Sequence, residues 1–189
     1  MTELLIDGVG LRRFSVEEYH RMGEAGVFAP GERVELIRGV IRKMSPKGKR
    51  QVIAVSKIVR TFVPRLASRA MVYVQDPLAR KGWPSEPEPD FWVTANPDPL
   101  AYGTESAPAA LVIEVSDSSL EYDRSVKAPL YAEAEVPEYW IVNLIDDVLE
   151  VLREPQAGAY RSRTILKAHD RVAPLTWPDL DVSVSDLLP

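Results

Sequence analysis

Ala110-Leu111-Val112-Ile113-Glu114-Val115-Ser116 is an apolar run broken by a single charge. A stretch of this length, rich in β-branched residues and apolar on both alternating faces, reads as a strand covered on both sides, and so as a central strand of a sheet. Burying a lone carboxylate in such a strand is costly. Glu114 therefore needs a partner, and a lysine, a hydrogen-bond network or a divalent cation would each serve. Upstream, residues 83–89 (WPSEPEP) carry too many prolines for a sheet interior and read as an extended lead-in to Asp90, after which Phe91 to Val93 reads as a strand. Two acids thus stand at the ends of neighbouring strands.

Downstream, Ser118 to Asp123 offers several helix caps and Ala128 to Ala134 is a good helix former. Pro129 implies that this helix starts shortly before it, with Lys127 in the first turn. Val136-Pro137 ends it. Glu138 to Asn143 (EYWIVN) reads as another buried strand, Val148 to Arg153 and Tyr160 to Leu166 as an antiparallel pair, and Trp177 to Leu188 as the closing segment. Tyr139 and Trp140 read as core packing.

Towards the N-terminus, Ser15-Val16-Glu17-Glu18 has the spacing of a capping box, which predicts a short helix over about 16–23. Residues 32–44 (ERVELIRGVIRKM) read as a hairpin around Arg38-Gly39. From Lys49, Val52, Val55, Ile58, Val59 and Phe62 recur at helical steps, and Pro64 should kink or end that helix. Met71 to Gln75 (MVYVQ) reads as a strand. Strands in the middle, a long helix before them and a shorter one between two of them predict an α/β (α+β) fold, a mixed sheet flanked by helices with β extensions at both ends. Neither a repeat nor a linker is visible, so residues 1–189 are expected to form a single domain.

Composition narrows the chemistry. The 189 residues are 46% hydrophobic and 27% charged, as in an ordinary globular chain, with no apolar run of membrane-spanning length and no signal-peptide pattern at the start. A cytoplasmic setting without a membrane is expected. No cysteine and only two histidines, His20 and His169, leave oxygen as the ligand for any metal; both histidines read as surface residues. The net charge of −5 opposes bulk attraction to nucleic acid, yet residues 38–69 hold no acid and many lysines and arginines. That segment could follow a phosphate backbone, or be a solvated helix face balanced from elsewhere.

Asp90 and Glu114 at neighbouring strand ends can hold one Mg²⁺ or Mn²⁺, and a divalent cation polarises a phosphoryl oxygen and activates water. Lys127 is placed to orient that water if its helix packs on the Glu114 strand, and Asp123, four residues earlier, can pair with it. The ordered set Pro89-Asp90, Glu114 and Lys127, with the strings SEPEPD (85–90), VELIRGVIRKMSP (34–46) and residues 111–142, resembles the PD-(D/E)XK nuclease superfamily. Within it, the chain is similar to a bacterial branch of restriction-endonuclease-like proteins, from about Ser15 to Leu188. The resemblance implies a Mg²⁺- or Mn²⁺-dependent nuclease acting on DNA, as a homodimer. Asp90, Glu114 and Glu35 would be the metal-binding acids. Lys127 would replace a lysine that the superfamily places where Ser116 stands. Ser116, Asp123 and Gln75 would support the ligands. Gln51 stands where relatives often carry a histidine, and a glutamine cannot act as a general base.

Other readings stand beside these. Pro89-Asp90 could be a turn whose carboxylate caps a backbone N–H. Glu114 and Lys127 could form a buried pair that only fixes the fold. Glu35 could be the cross-strand partner of an arginine. Ser116, Ser118 and Ser119 lack the Gly-x-Ser-x-Gly elbow of a serine hydrolase and read as caps or supporting donors. The whole chain could also be a nuclease-like domain that binds nucleic acid or a protein partner without cleaving.

Overall fold

The structure, a computed structural model, describes residues 5–6, 9–10, 12–104 and 107–189. The chain divides into two compact units, residues 1–45 with 82–87, and residues 46–81 with 88–189.

In the first unit, β1 (Leu5–Ile6) pairs with β2 (Val9–Gly10). Helix α1 (Val16–Glu24) starts at Ser15, where the predicted capping box forms: the Glu18 N–H donates to the Ser15 hydroxyl at 3.2 Å and the Ser15 N–H to the Glu18 carboxylate at 3.0 Å. Strands β3 (Val34–Ile37) and β4 (Val40–Lys43) form the hairpin expected around Arg38-Gly39. Both turn residues have positive φ, 49° and 77°, as a two-residue type I′ turn requires. Glycine is needed at 39 on a second ground, because a Cβ there would lie 2.6 Å from the Cβ of Arg13.

The second unit is built on a six-stranded sheet in the order β10-β9-β8-β7-β6-β5. The strands are β5 (Met71–Tyr73), β6 (Phe91–Thr94), β7 (Ala109–Ser116), β8 (Glu138–Asn143), β9 (Val148–Gln156) and β10 (Ala159–Lys167). Only β7 and β8 run parallel, so the sheet is mixed. All eight residues of β7 are buried, as its composition predicts. One face of the sheet carries α2 (Lys49–Leu66) and the C-terminal segment, where β11 (Arg171–Val172) pairs with β12 (Val182–Ser183). Ile58, Phe62 and Leu66 of α2 pack there with Phe91, Ile113, Trp140, Trp177 and Leu187 in one core. No helix among the described residues is long and apolar enough to cross a membrane.

Four local expectations are corrected. The inward stripe of α2 is Ala54, Val55, Ile58, Phe62 and Leu66, while Val52 is exposed. One turn back from Val55 that stripe begins with Gln51, so a polar residue opens it. Pro64 lies inside α2 and does not itself end it, because the helix runs on to Leu66. The strand from Met71 stops at Tyr73, and Gln75 lies beyond it with φ 57°.

The fourth concerns the crossover between β7 and β8. It does not begin at Lys127: α3 (Leu120–Tyr122) leads through a π-helical turn (Asp123–Lys127) into α4 (Ala128–Glu133). Pro129 explains the wide turn. In a regular α-helix its ring would strike the carbonyl four residues back, and it has no N–H to offer; the wider turn, in which the Ala128 N–H reaches the Asp123 carbonyl, relieves both.

Candidate metal-binding active site

Strands β6 and β7 pair antiparallel with Phe91 opposite Ile113, so Asp90, one residue before β6, comes to stand opposite Glu114. Each side chain is held by the other's strand. The Asp90 N–H donates to Glu114 Oε2 at 3.2 Å, and the Val115 N–H donates to Asp90 Oδ2 at 3.0 Å. Both carboxylates are buried.

The helical crossover supplies the rest. Lys127 Nζ donates to Glu114 Oε1 at 2.8 Å, and the Tyr131 hydroxyl donates to the same oxygen at 2.8 Å. Asp123 Oδ2 accepts from Ser116 and Ser119 hydroxyls, each at 2.7 Å. The π turn thus aims Asp123 and Lys127 at the same end of β7. On the other side, Gln51 of α2 donates from Nε2 to both oxygens of Asp90, at 3.3 and 3.2 Å, and Gln75 Nε2 donates to Oδ1 at 3.1 Å.

The structure therefore brings Asp90, Glu114, Lys127, Ser116, Asp123 and Gln75 together. Glu35 belongs to the first unit, where it is buried and takes a hydrogen bond from Arg42, its direct partner across the β3–β4 hairpin, at 3.0 Å. Tyr131 escaped the sequence reading, although it follows Lys127 by four residues, a spacing that lets two side chains of one helix face meet the same partner. The sequence marks Gln51 only as standing where relatives often carry a histidine; its contact with Asp90 follows once the inward stripe of α2 is extended back by a turn.

Electrostatics separate this cluster from its neighbour. Glu150, reached from Glu114 through Ile141 along one row of the sheet, is also buried. Burial acts to raise its pKa, but hydrogen bonds from Arg124 and Asn143 and the charge of Arg163 more than offset this and hold it below the ordinary range. Glu114 has one lysine against two acids. Burial pushes its carboxyl up to about 8, with Asp123 and Asp90 adding to the rise and Lys127 opposing it. Burial likewise raises Asp123, against the pull of Lys127 and the two serine hydroxyls.

Three buried carboxylates face one buried ammonium, so full ionisation leaves a surplus of two negative charges. A divalent cation matches that surplus, and the donors are hard oxygens. Among the described residues no group of three acids or histidines is arranged to hold an ion, so the fit rests on Asp90 and Glu114. Magnesium suits such a set, because it is commonly held by one or two carboxylates and keeps several waters.

The basic segment is accounted for in good part within the protein. Arg50 bonds Asp147 and the Leu144 carbonyl, Lys57 the Ser185 carbonyl at 2.9 Å, Arg65 the Asp181 carbonyl at 3.0 Å, and Arg69 the Asp179 carboxylate. These cations pin the C-terminal segment and the β8–β9 turn to α2. His20 and His169 are exposed, the first against Glu86 at 2.7 Å.

Comparison with known proteins agrees with this architecture. The family model described as "Uma2: Putative restriction endonuclease" matches residues 16–185. The chain belongs to this family. A crystal structure of "a putative nuclease belonging to DUF820 from Anabaena variabilis ATCC 29413" superposes with a TM-score of 0.66 at 17% identity, covering 92% of this chain and 97% of that one. At that identity the match establishes the fold, which is restriction-endonuclease-like. No curated protein matches the chain.

Proposed function

We propose that this family member is a Mg²⁺- or Mn²⁺-dependent nuclease that hydrolyses phosphodiester bonds of DNA. The observation that carries the reading is the buried cluster in which Asp90 and Glu114 clasp each other across β6 and β7 with Lys127 on Glu114. Structural ion pairs are normally balanced, as Glu150 is, and this one has acids in excess.

Asp90 and Glu114 would hold the cation. When bound, it would polarise a phosphoryl oxygen and make water a better nucleophile. Lys127 would orient the attacking water and offset the charge that gathers on the phosphate. Tyr131 fixes the Glu114 carboxylate, while Ser116 and Ser119 fix Asp123 beside the ammonium. Glu35 joins as an auxiliary metal-binding acid on the resemblance alone. DNA is preferred to RNA on the family description. A homodimer in the cytoplasm, presenting two sites to two strands, completes the proposal and is checked by sedimentation.

Incubation with supercoiled plasmid tests it. Nicking should require Mg²⁺ or Mn²⁺, stop with EDTA, and vanish in Asp90→Asn and Lys127→Met proteins that keep a cooperative melt. Cleavage unchanged in Lys127→Met would sink the assignment. A second reading, a domain that binds nucleic acid or a protein without cutting, draws on one observation: each oxygen of Asp90 and Glu114 already has a protein donor. Retardation of DNA without nicking would favour it.

A further inference from the structure

Asp90 is saturated in an uneven way. The Val115 N–H holds Oδ2, and Gln75 holds Oδ1 from a backbone that is itself fixed, because the Gln75 N–H donates to the Asp90 carbonyl at 3.2 Å and its φ is 57°. Gln51 differs. Its Nε2 lies almost equally far from both carboxylate oxygens, at 3.3 and 3.2 Å. That is the position from which a cation addresses both oxygens of a carboxylate, and these are the longest of the hydrogen bonds made to the Asp90 carboxylate.

A primary amide has a donor end and an acceptor end of nearly equal size. Facing a carboxylate it presents NH₂; facing a cation it presents its carbonyl oxygen, a ligand type that hard divalent ions accept. Gln51 sits in the first turn of α2 with three side-chain torsions to turn through, while Gln75 is tied at its backbone.

We infer that Gln51 is a switchable ligand: in the cation-free protein it donates to Asp90 in the cation's stead, and in the loaded protein its amide turns and its oxygen joins Asp90 and Glu114 in the shell. This rests on the reading of the cluster as a cation site. It gives Gln51 a role that involves no proton transfer, and it explains why the inward stripe of α2 opens with an amide. Gln75 is a positioning residue that keeps its bond to Oδ1 in both states.

Calorimetric titration of Mn²⁺ into the full chain tests this, in wild type, Glu114→Gln, Gln51→Ala and Gln51→Met, the last keeping the bulk of the side chain in case alanine disturbs the helix start. The wild type should bind, Glu114→Gln should lose binding, and both Gln51 variants should bind about tenfold more weakly or worse. Binding in the Gln51 variants as tight as in wild type, or tighter, with Glu114→Gln still blind to the ion, would overturn the inference and leave the cation site standing. No binding in the wild type, in a titration repeated with a DNA duplex present to supply phosphate oxygens, would overturn both.

Discussion

Glu114 accepts the backbone N–H of Asp90 at 3.2 Å, so the strand pairing holds together two acids whose charges repel. The distance between any two ligands is then set by the register of β6 against β7. Asp90→Ala would leave the Gln51 and Gln75 amides and the buried Val115 N–H without their acceptor. Each unmatched buried donor costs about 1–3 kcal/mol. Urea denaturation should show a loss of that order, with Asp90→Asn losing less because its amide oxygen still accepts.

Lys127 and Glu114 form a buried pair, with both side chains almost wholly covered. Breaking such a pair from one side costs about 3–5 kcal/mol when the remaining charge has no relief. Lys127→Met should approach that figure only at pH well above 8, because losing the ammonium that opposes the rise pushes the Glu114 carboxyl higher still, and fall short of it at lower pH, where Glu114 takes a proton. The double variant Lys127→Met, Glu114→Gln should recover most of the loss. A double-mutant cycle by chemical denaturation checks this, and additivity of the two single changes would contradict it.

The Glu114 carboxyl is raised from 4.5 to about 8 in the folded protein, chiefly by burial. The folded state then holds a proton that the unfolded chain releases. Its stabilising contribution is full below about pH 4.5 and is lost as pH rises through about 8. Melting temperature should fall between pH 6 and 9 more steeply in wild type than in Glu114→Gln. A cation competes with the same proton, so Mn²⁺ affinity should climb about tenfold per pH unit below 8, with proton release on binding. Titration in buffers of different ionisation enthalpy measures that release.

An ion that binds only the native state raises stability by mass action, by about 2.7 kcal/mol at a hundredfold excess over its Kd. Mg²⁺ or Mn²⁺ should therefore raise the melting temperature of the wild type and leave Glu114→Gln unmoved. An equal rise in both would place the ion elsewhere.

Much of the fold was legible because strong periodicity and strong punctuation coincide. The uniform apolar character of β7 marked the sheet centre, and Ser15-Glu18 and Arg38-Gly39 marked a helix start and a turn by capping and by positive φ. The misreadings share a cause: tertiary packing decides where local rules leave a choice. Pro129 does restrict its helix, but the chain answers with a π turn rather than a late start, and this carries Asp123 and Lys127 to the site. Val52 satisfies the helical spacing as well as Ala54 does, and only the sheet beneath decides between them. At the site, Asp90, Glu114 and Lys127 could be picked out by charge in apolar or proline-rich surroundings. Gln51 could not, because an uncharged amide gives no such signal until its partner is seen.

The central claim is that Asp90 and Glu114 hold a divalent cation, and calorimetric titration of Mn²⁺ into wild type and Glu114→Gln at pH 8, with and without a DNA duplex to supply phosphate oxygens, tests it most directly. The account predicts one saturable site per chain in the wild type and none in the variant. Silence in the wild type with DNA present, or equal binding by the two proteins, would contradict it.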